Sequence, residues 1–320
     1  MQTEQIKFFH RQRSYIRHPR PGKLLLRSWE IVRAKIHHGI EFIKKRYLKI
    51  HFMMNMNNIH KIVLQSTDVC NINCKYCSRG IPFKKNKRSY LASEFIPWLN
   101  FLIKKGVRFK TISISGGEPF LHSNIFNFVD ELKDNYPDKI IKLTTNFSWA
   151  NEKKIQEYVP KLRSLDSLVI SKYPPVIEKC GGNEKFDSLV QLLIQRCPDM
   201  NIEVNDLANF TSWELRRQKE PVNNACTTEH AHCYTLGIEG IITRCVIACG
   251  AQNIAQYKSI LEMNKEYYFD LTKWNKKKFL NFAHKFPFDL CEHCTFTKYK
   301  TEDWGLEDRM INEALTSSDD

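Results

Sequence analysis

Cys70-Asn71-Ile72-Asn73-Cys74-Lys75-Tyr76-Cys77 is the stretch from which this 320-residue chain is most readily read. The spacing C-x-x-x-C-x-x-C puts three thiols on one short loop, and the apolar run Ile62 to Leu64 just before it reads as a strand. Thiolates are the ligands of iron–sulfur clusters, so three of them can hold three irons of a [4Fe-4S] cube and leave the fourth iron open. Structural zinc sites also use C-x-x-C elements, but they take a fourth Cys or His at matched spacing. Here His60 lies upstream and no His follows closely.

Outward from this loop the chain alternates short apolar runs with helix-length stretches. A helix is expected over Ala92 to Ile103 and a second strand over Thr111 to Ile114, ending at Gly116-Gly117. A helix follows at Ile125 to Leu132, with further strands at Ile140 to Leu143, Leu168 to Ile170 and Ile202 to Val204. Helices at Glu152 to Tyr158 and Phe186 to Ile194 fall between them. Repeated β-then-α units imply a parallel sheet with right-handed crossovers. The expected fold is therefore α/β, an open or partial barrel.

A second signal stands at the end of the second strand, Gly116-Gly117-Glu118-Pro119. Two adjacent glycines let backbone come close to a ligand that a Cβ would block. The cysteine loop, with Tyr76 at its aromatic position, and this turn together resemble the radical S-adenosylmethionine superfamily. The resemblance implies a partial (β/α)6 TIM barrel in which Cys70, Cys74 and Cys77 hold the cluster. Its open iron would chelate the methionine amino and carboxylate groups of S-adenosylmethionine, and reduction would release a 5'-deoxyadenosyl radical. It further implies cofactor-binding roles for Tyr76, Gly116, Gly117, Glu118, Pro119, Asn146 and Ser171, with Thr144, Thr145 and Lys172 as other strand-end candidates. An external electron donor such as flavodoxin or ferredoxin is expected as a partner.

The last third carries Cys226, Cys233, Cys245, Cys249, Cys291 and Cys294, with Gly237 and Gly240 marking a hairpin over Thr235 to Thr243. This resembles the twitch extension of the same superfamily, a short form of the SPASM domain. The resemblance implies one auxiliary [4Fe-4S] cluster on Cys245, Cys291 and Cys294 with Cys226 or Cys233. A zinc ribbon on Cys233, Cys245, Cys291 and Cys294, with help from His230, His232 or His293, is the alternative. Cys249, four residues beyond Cys245, is a candidate hydrogen donor to a substrate radical or else a buried small hydrophobe. Cys180 and Cys197 read as buried thiols.

Eleven cysteines without an apolar leader-like stretch argue against a secreted disulfide scaffold and for a reducing, cytoplasmic setting. The net charge of +14 is uneven, because residues 1–50 hold thirteen Lys/Arg against three acids. Leu25, Trp29, Val32, Ile36, Ile40, Ile43 and Tyr47 repeat at steps of three and four, which predicts an N-terminal basic amphipathic helix. Such a helix suits packing on the main domain, a peripheral contact of residues 25–47 with an anionic membrane, or a phosphate-bearing partner. No named RNA-binding motif accompanies it, so nucleic acid is disfavoured.

The expected divisions are a basic arm and helix at 1–58, a barrel at 59–222, a cysteine-rich region at 223–300 and a tail at 301–320. The leading functional expectation is oxidation or epimerisation of a sugar or glycan precursor. Maturation of a ribosomal peptide and modification of RNA are the rivals.

Overall fold

A computed structural model describes residues 58–207, 209–216, 226, 233–295, 301–303 and 305. The expected N-terminal helix, its membrane contact and the tail beyond residue 305 lie outside the described residues. The chain divides into two compact units between Asn55 and Met56, and everything described belongs to the second.

Strand β1 (Asn58–Thr67) sets the frame. Its alternation sends Ile62 and Leu64 into the main apolar core and leaves Lys61 and Val63 on the opposite, concave face. Strands β2 (Arg108–Gly116), β3 (Ile140–Thr145), β4 (Ser167–Lys172) and β5 (Asn201–Asp206) follow in parallel, each beside the last. On the convex side lie α1 (Ile96–Lys104), α2 (Ile125–Asn135), α3 (Glu152–Tyr158), α4 (Pro174–Cys180) and α5 (Asn183–Arg196). They bury Leu99, Leu102, Phe128, Leu132, Ile155, Phe186 and Leu193 against Ile112, Ile114, Ile141, Leu143, Leu168 and Ile170. The starts carry local signals: Asn151 caps α3 by accepting from Lys154 N at 2.9 Å, and Pro97 stands in the first turn of α1.

The sixth parallel strand is not where a simple barrel puts it. Strand β6 (Asn209–Thr211) leaves the sheet and pairs antiparallel with β10 (Thr301–Asp303). Strand β7 (Cys233–Leu236) instead pairs parallel with β1 on its other edge, with Lys61 opposite Cys233 and Val63 opposite Thr235. The expected hairpin then adds β8 (Ile241–Thr243), and β9 (Tyr268–Asp270) completes the sheet in the order β5-β4-β3-β2-β1-β7-β8-β9. The sheet is mixed α/β and parallel-rich, and it does not close: β5 and β9 are its two ends. The 59–222 and 223–300 segments thus share one sheet.

The hairpin turn explains one glycine. Gly240 has φ +78°, and a Cβ there would stand 2.6 Å from the Trp98 ring of α1, whose Nε1 donates to Ile238 O at 2.7 Å. After the hairpin come α6 (Val246–Ala251), α7 (Lys258–Met263) and α8 (Lys276–His284). Together with Trp213, Leu215 and Leu290, α6 and α7 form a second apolar cluster. No helix among the described residues is long and apolar enough to cross a membrane.

Candidate functional site

The cysteine loop leaves β1 at its C-terminal end and is fixed by backbone. Gly80 N donates to Cys77 O at 2.9 Å, and Tyr76 adopts the left-handed conformation with φ 57°. A non-glycine residue held there needs support from its surroundings. The peptide carbonyl of Tyr76 accepts from Trp213 Nε1 at 2.8 Å, and Trp213 is almost fully buried.

The Gly-Gly-Glu-Pro turn docks on that loop rather than standing beside it. Gly117 N donates to Thr67 O and Glu118 N to Val69 O, both at 2.8 Å. A Cβ on Gly117 would lie 2.0 Å from Val69 O, and one on Gly116 2.4 Å from Thr67 O. Both glycines are therefore needed for contact between two parts of the protein itself, and they line the cavity at the same time.

Glu118 and Pro119 are buried and, unlike the two glycines, are not among the residues that line the cavity. The Glu118 carboxylate accepts from Thr145 Oγ1 and Asn146 N, both at 2.6 Å, and from Phe120 N at 3.1 Å. Burial pushes its pKa up to about 7 despite those donors. Asn146 Nδ2 in turn donates to Asn71 Oδ1 at 2.9 Å, so the ends of β1, β2 and β3 are tied into one network. Lys172 pairs with Asp187 at 2.8 Å and is absent from the cavity wall.

Inside this rim lies a cavity of about 620 Å³ that Cys70, Cys74, Tyr76, Cys77, Asn146 and Ser171 line together. Burial first, then the charges of Glu118 and Cys77, pushes the Cys70 thiol up to about 11. Burial also raises Cys77. Tyr173, in the same wall, is raised by burial and by the three thiolates. Thiols so placed shed their protons only against nearby positive charge, which is what metal ligation supplies. Among the described residues, no three Cys, His, Asp or Glu side chains converge as a single ion requires. A cube spreads its thiolates over separate irons, so the donor set fits a [4Fe-4S] cluster better than zinc.

The later cysteines divide in two. Cys245 is raised by burial and by Cys294, Cys249 and Cys291, while Cys291 is pushed up to about 12 by burial and by Cys294 and Cys226. Cys226, Cys245, Cys249, Cys291 and Cys294 thus share one neighbourhood, where His293 Nδ1 is buried without a hydrogen-bond partner. Cys233 stands elsewhere, in the cavity wall beside Lys61, so it does not substitute for Cys226. Cys249 stands near Cys245 and borders a separate space of about 210 Å³ with Gln252 and Asn253, and it is not among the residues that line the large cavity. Cys180 and Cys197 are partly buried against the main core, as expected.

Contact between the two regions is backbone on backbone. A Cβ on Gly80 would meet Gly250 O of α6 at 2.3 Å, and one on Gly250 would meet Ser78 O at 2.5 Å. Residues not singled out from sequence also line the cavity: Lys61, Ser78, Arg79, Ser113, Ser115, Tyr173, Trp213 and Thr235. Their sequence signal is the period-two alternation within β1, β2 and β7, which puts Lys61, Ser113 and Thr235 on one face.

A parallel sheet whose first strand ends in three gathered thiols, and whose second ends in a glycine turn against them, defines an iron–sulfur, S-adenosylmethionine-binding class. Residues 64–171 match the family model described as the radical SAM superfamily.

Among curated proteins it is similar to a GTP 3',8-cyclase of Nautilia profundicola, 30% identical over 144 residues, with 42% of each chain covered. A probable GTP 3',8-cyclase of Methanococcus aeolicus is 22% identical over 275 residues, covering 76% of this chain and 83% of that one. The chain spans less than half the length of the Nautilia protein and 24% of a similar Paenarthrobacter nicotinovorans one. A solved structure of BtrN with AdoMet and 2-DOIA covers 74% of this chain and 93% of its own, at 18% identity and TM-score 0.49.

Proposed function

We propose that this radical SAM enzyme acts on a small polar molecule seated in the 620 Å³ cavity, oxidising it at a hydroxyl-bearing carbon. The observation that carries the reading is the convergence of Cys70, Cys74 and Cys77 with the Gly116-Gly117 backbone on the rim of that cavity. Cys70, Cys74 and Cys77 would hold a [4Fe-4S] cluster that, with S-adenosylmethionine, would supply hydrogen-abstracting radical chemistry, and Cys226, Cys245, Cys291 and Cys294 would hold a second cluster that would supply an electron acceptor.

The chain's own residues do the positioning. Glu118 and Asn146 hold the rim, Trp213 holds the Tyr76 turn, and Ser171 and Tyr173 face the enclosed space. The oxidative reading is supported by the neighbourhood of Cys226, Cys245, Cys291 and Cys294, which offers thiolates for an electron-accepting cluster. Ring closure on a nucleotide, the reaction named for the curated relatives, is the second reading. It is supported by the match that spans 83% of the Methanococcus protein.

Anaerobic reconstitution tests both thiol sets. Wild type should form 5'-deoxyadenosine under reduction, and the variant with Cys70, Cys74 and Cys77 all changed to Ala should form none while keeping about four irons per chain. Equal 5'-deoxyadenosine from that variant would overturn the first assignment, and zinc in place of its iron the second.

A further inference from the structure

Among the described residues the cavity wall carries two cations, Lys61 and Arg79, and no Asp, Glu or His. Around them stand the hydroxyls of Ser78, Ser113, Ser115 and Thr235. The Arg79 fork is held open by its neighbours: Nη1 donates to Thr235 Oγ1 at 2.9 Å and Nη2 to Ser115 Oγ at 3.1 Å. Neither cation has a carboxylate partner within ion-pair distance among the described residues. Lys61 contacts the Cys233 thiol, and its influence on Glu203 is secondary to that of Lys142, which pairs with Glu203 at 2.9 Å.

Two partly enclosed cations that face the Cys77 and Cys233 thiols but no carboxylate are costly unless something anionic joins them. We infer that the substrate carries a phosphoryl group, and that Lys61 and Arg79 receive it on the floor of the cavity.

Depth separates this site from the cofactor's own carboxylate. Lys61 lies six residues before Thr67, roughly 20 Å down the strand at ~3.3 Å per residue, whereas the thiols stand above the strand end. Arg79 sits between these levels, because its partners Ser115 and Thr235 are in register with Gln65 and Val63. A methionine carboxylate chelated at a cluster on Cys70, Cys74 and Cys77 stays at the top. A phosphoryl group offers several terminal oxygens to an ammonium, a guanidinium and a ring of hydroxyls, more than the two oxygens of a carboxylate could use. The inference rests on the cavity being the substrate site. Its test does not require turnover.

The full-length, anaerobically reconstituted protein is titrated with inorganic pyrophosphate, and separately with malonate, by calorimetry with and without S-adenosylmethionine. Pyrophosphate should bind the wild type in both conditions and more tightly than malonate. Lys61→Gln should weaken it roughly tenfold or more, the size expected for one charge-assisted contact, and Lys61→Arg should recover part of the loss. Arg79→Lys should weaken it while keeping the charge. Lys277→Gln, at an exposed position on α8, should change nothing.

Cofactor affinity in Lys61→Gln should stay within twofold of wild type, with an unchanged melting temperature showing that the variant is folded. Equal weakening by Lys277→Gln would reduce the effect to general positive charge and overturn the site. Matching losses of pyrophosphate and S-adenosylmethionine affinity in a folded Lys61→Gln would reassign the cations to the cofactor. Malonate binding as tightly as pyrophosphate would overturn the phosphoryl assignment. If wild type binds pyrophosphate as inferred yet forms no 5'-deoxyadenosine, the proposed activity fails and this site does not.

Discussion

Replacing Gly117 by alanine isolates the contact on which the cysteine loop rests. The backbone at Gly117 is open to any residue, since only Gly116 of the pair has a positive φ, so the substitution acts through sterics alone. The added methyl would lie 2.0 Å from Val69 O, well inside ordinary contact, and the loop must retreat by more than 1 Å to admit it. That retreat takes both 2.8 Å bonds, Gly117 N to Thr67 O and Glu118 N to Val69 O, out of hydrogen-bonding range.

Two lost bonds, with donors left poorly served in a buried place, cost roughly 2–5 kcal/mol. In urea, at a slope of roughly 2–3 kcal/mol per M, the cluster-free protein should lose about 1–2 M from its midpoint. Cys70 follows Val69 directly, so iron retained by the first thiol set should fall with it. Gly182→Ala is the comparison. That residue has φ +100°, and nothing lies within 4 Å of the place its new methyl would take, so it should cost about 1–3 kcal/mol of backbone strain and leave iron binding untouched. A Gly117→Ala protein with wild-type midpoint and wild-type iron would refute the packing argument.

Glu118 gives the cluster-free protein a pH dependence. Its folded pKa of about 7 lies above the ordinary carboxylate value, so its contribution is complete below about pH 4.5 and is lost as pH rises through 7. The loss is about 3 kcal/mol. Urea midpoints at pH 5 and pH 8 should differ accordingly, and Glu118→Gln should remove most of the difference. Trp213→Phe deletes the indole bond to Tyr76 O and part of a buried side chain. We expect a loss of about 1–3 kcal/mol by urea titration, together with weaker S-adenosylmethionine binding at the Tyr76 turn.

The first four strands were legible because each buries an alternating or continuous apolar run bounded by turn residues, as Ile141 and Leu143 do in β3. The thiol loop was legible because spacing along a few residues fixes a loop's content. What spacing does not carry is direction. Glu118 and Pro119 belong to the motif yet point into the protein, because the donors that claim the carboxylate come from β3, about 27 residues later.

Cys233 and Cys226 were interchangeable by spacing. They separate once β7 registers with β1, for Cys233 and Thr235 then share the cavity face while Tyr234 and Leu236 turn to the core. That pairing joins residues some 170 positions apart, and no local pattern encodes it. The floor residues Lys61 and Arg79 lay unread for a related reason: a lone basic residue acquires meaning only from what the sheet brings opposite it.

The place of β1 between β2 and β7 also has a consequence in time. During synthesis β2 can cover one edge of β1 as soon as Gly116 is made, but the other edge waits for a strand that ends at Leu236. At 5–20 residues per second that interval is roughly 6–24 s, during which the strand leading into the thiol loop keeps a row of unmatched peptide groups. A newborn chain is therefore most open to mispairing with a neighbour on the same message just where its chemistry is to be built. Slower passage over residues 117–236 would lengthen that exposure.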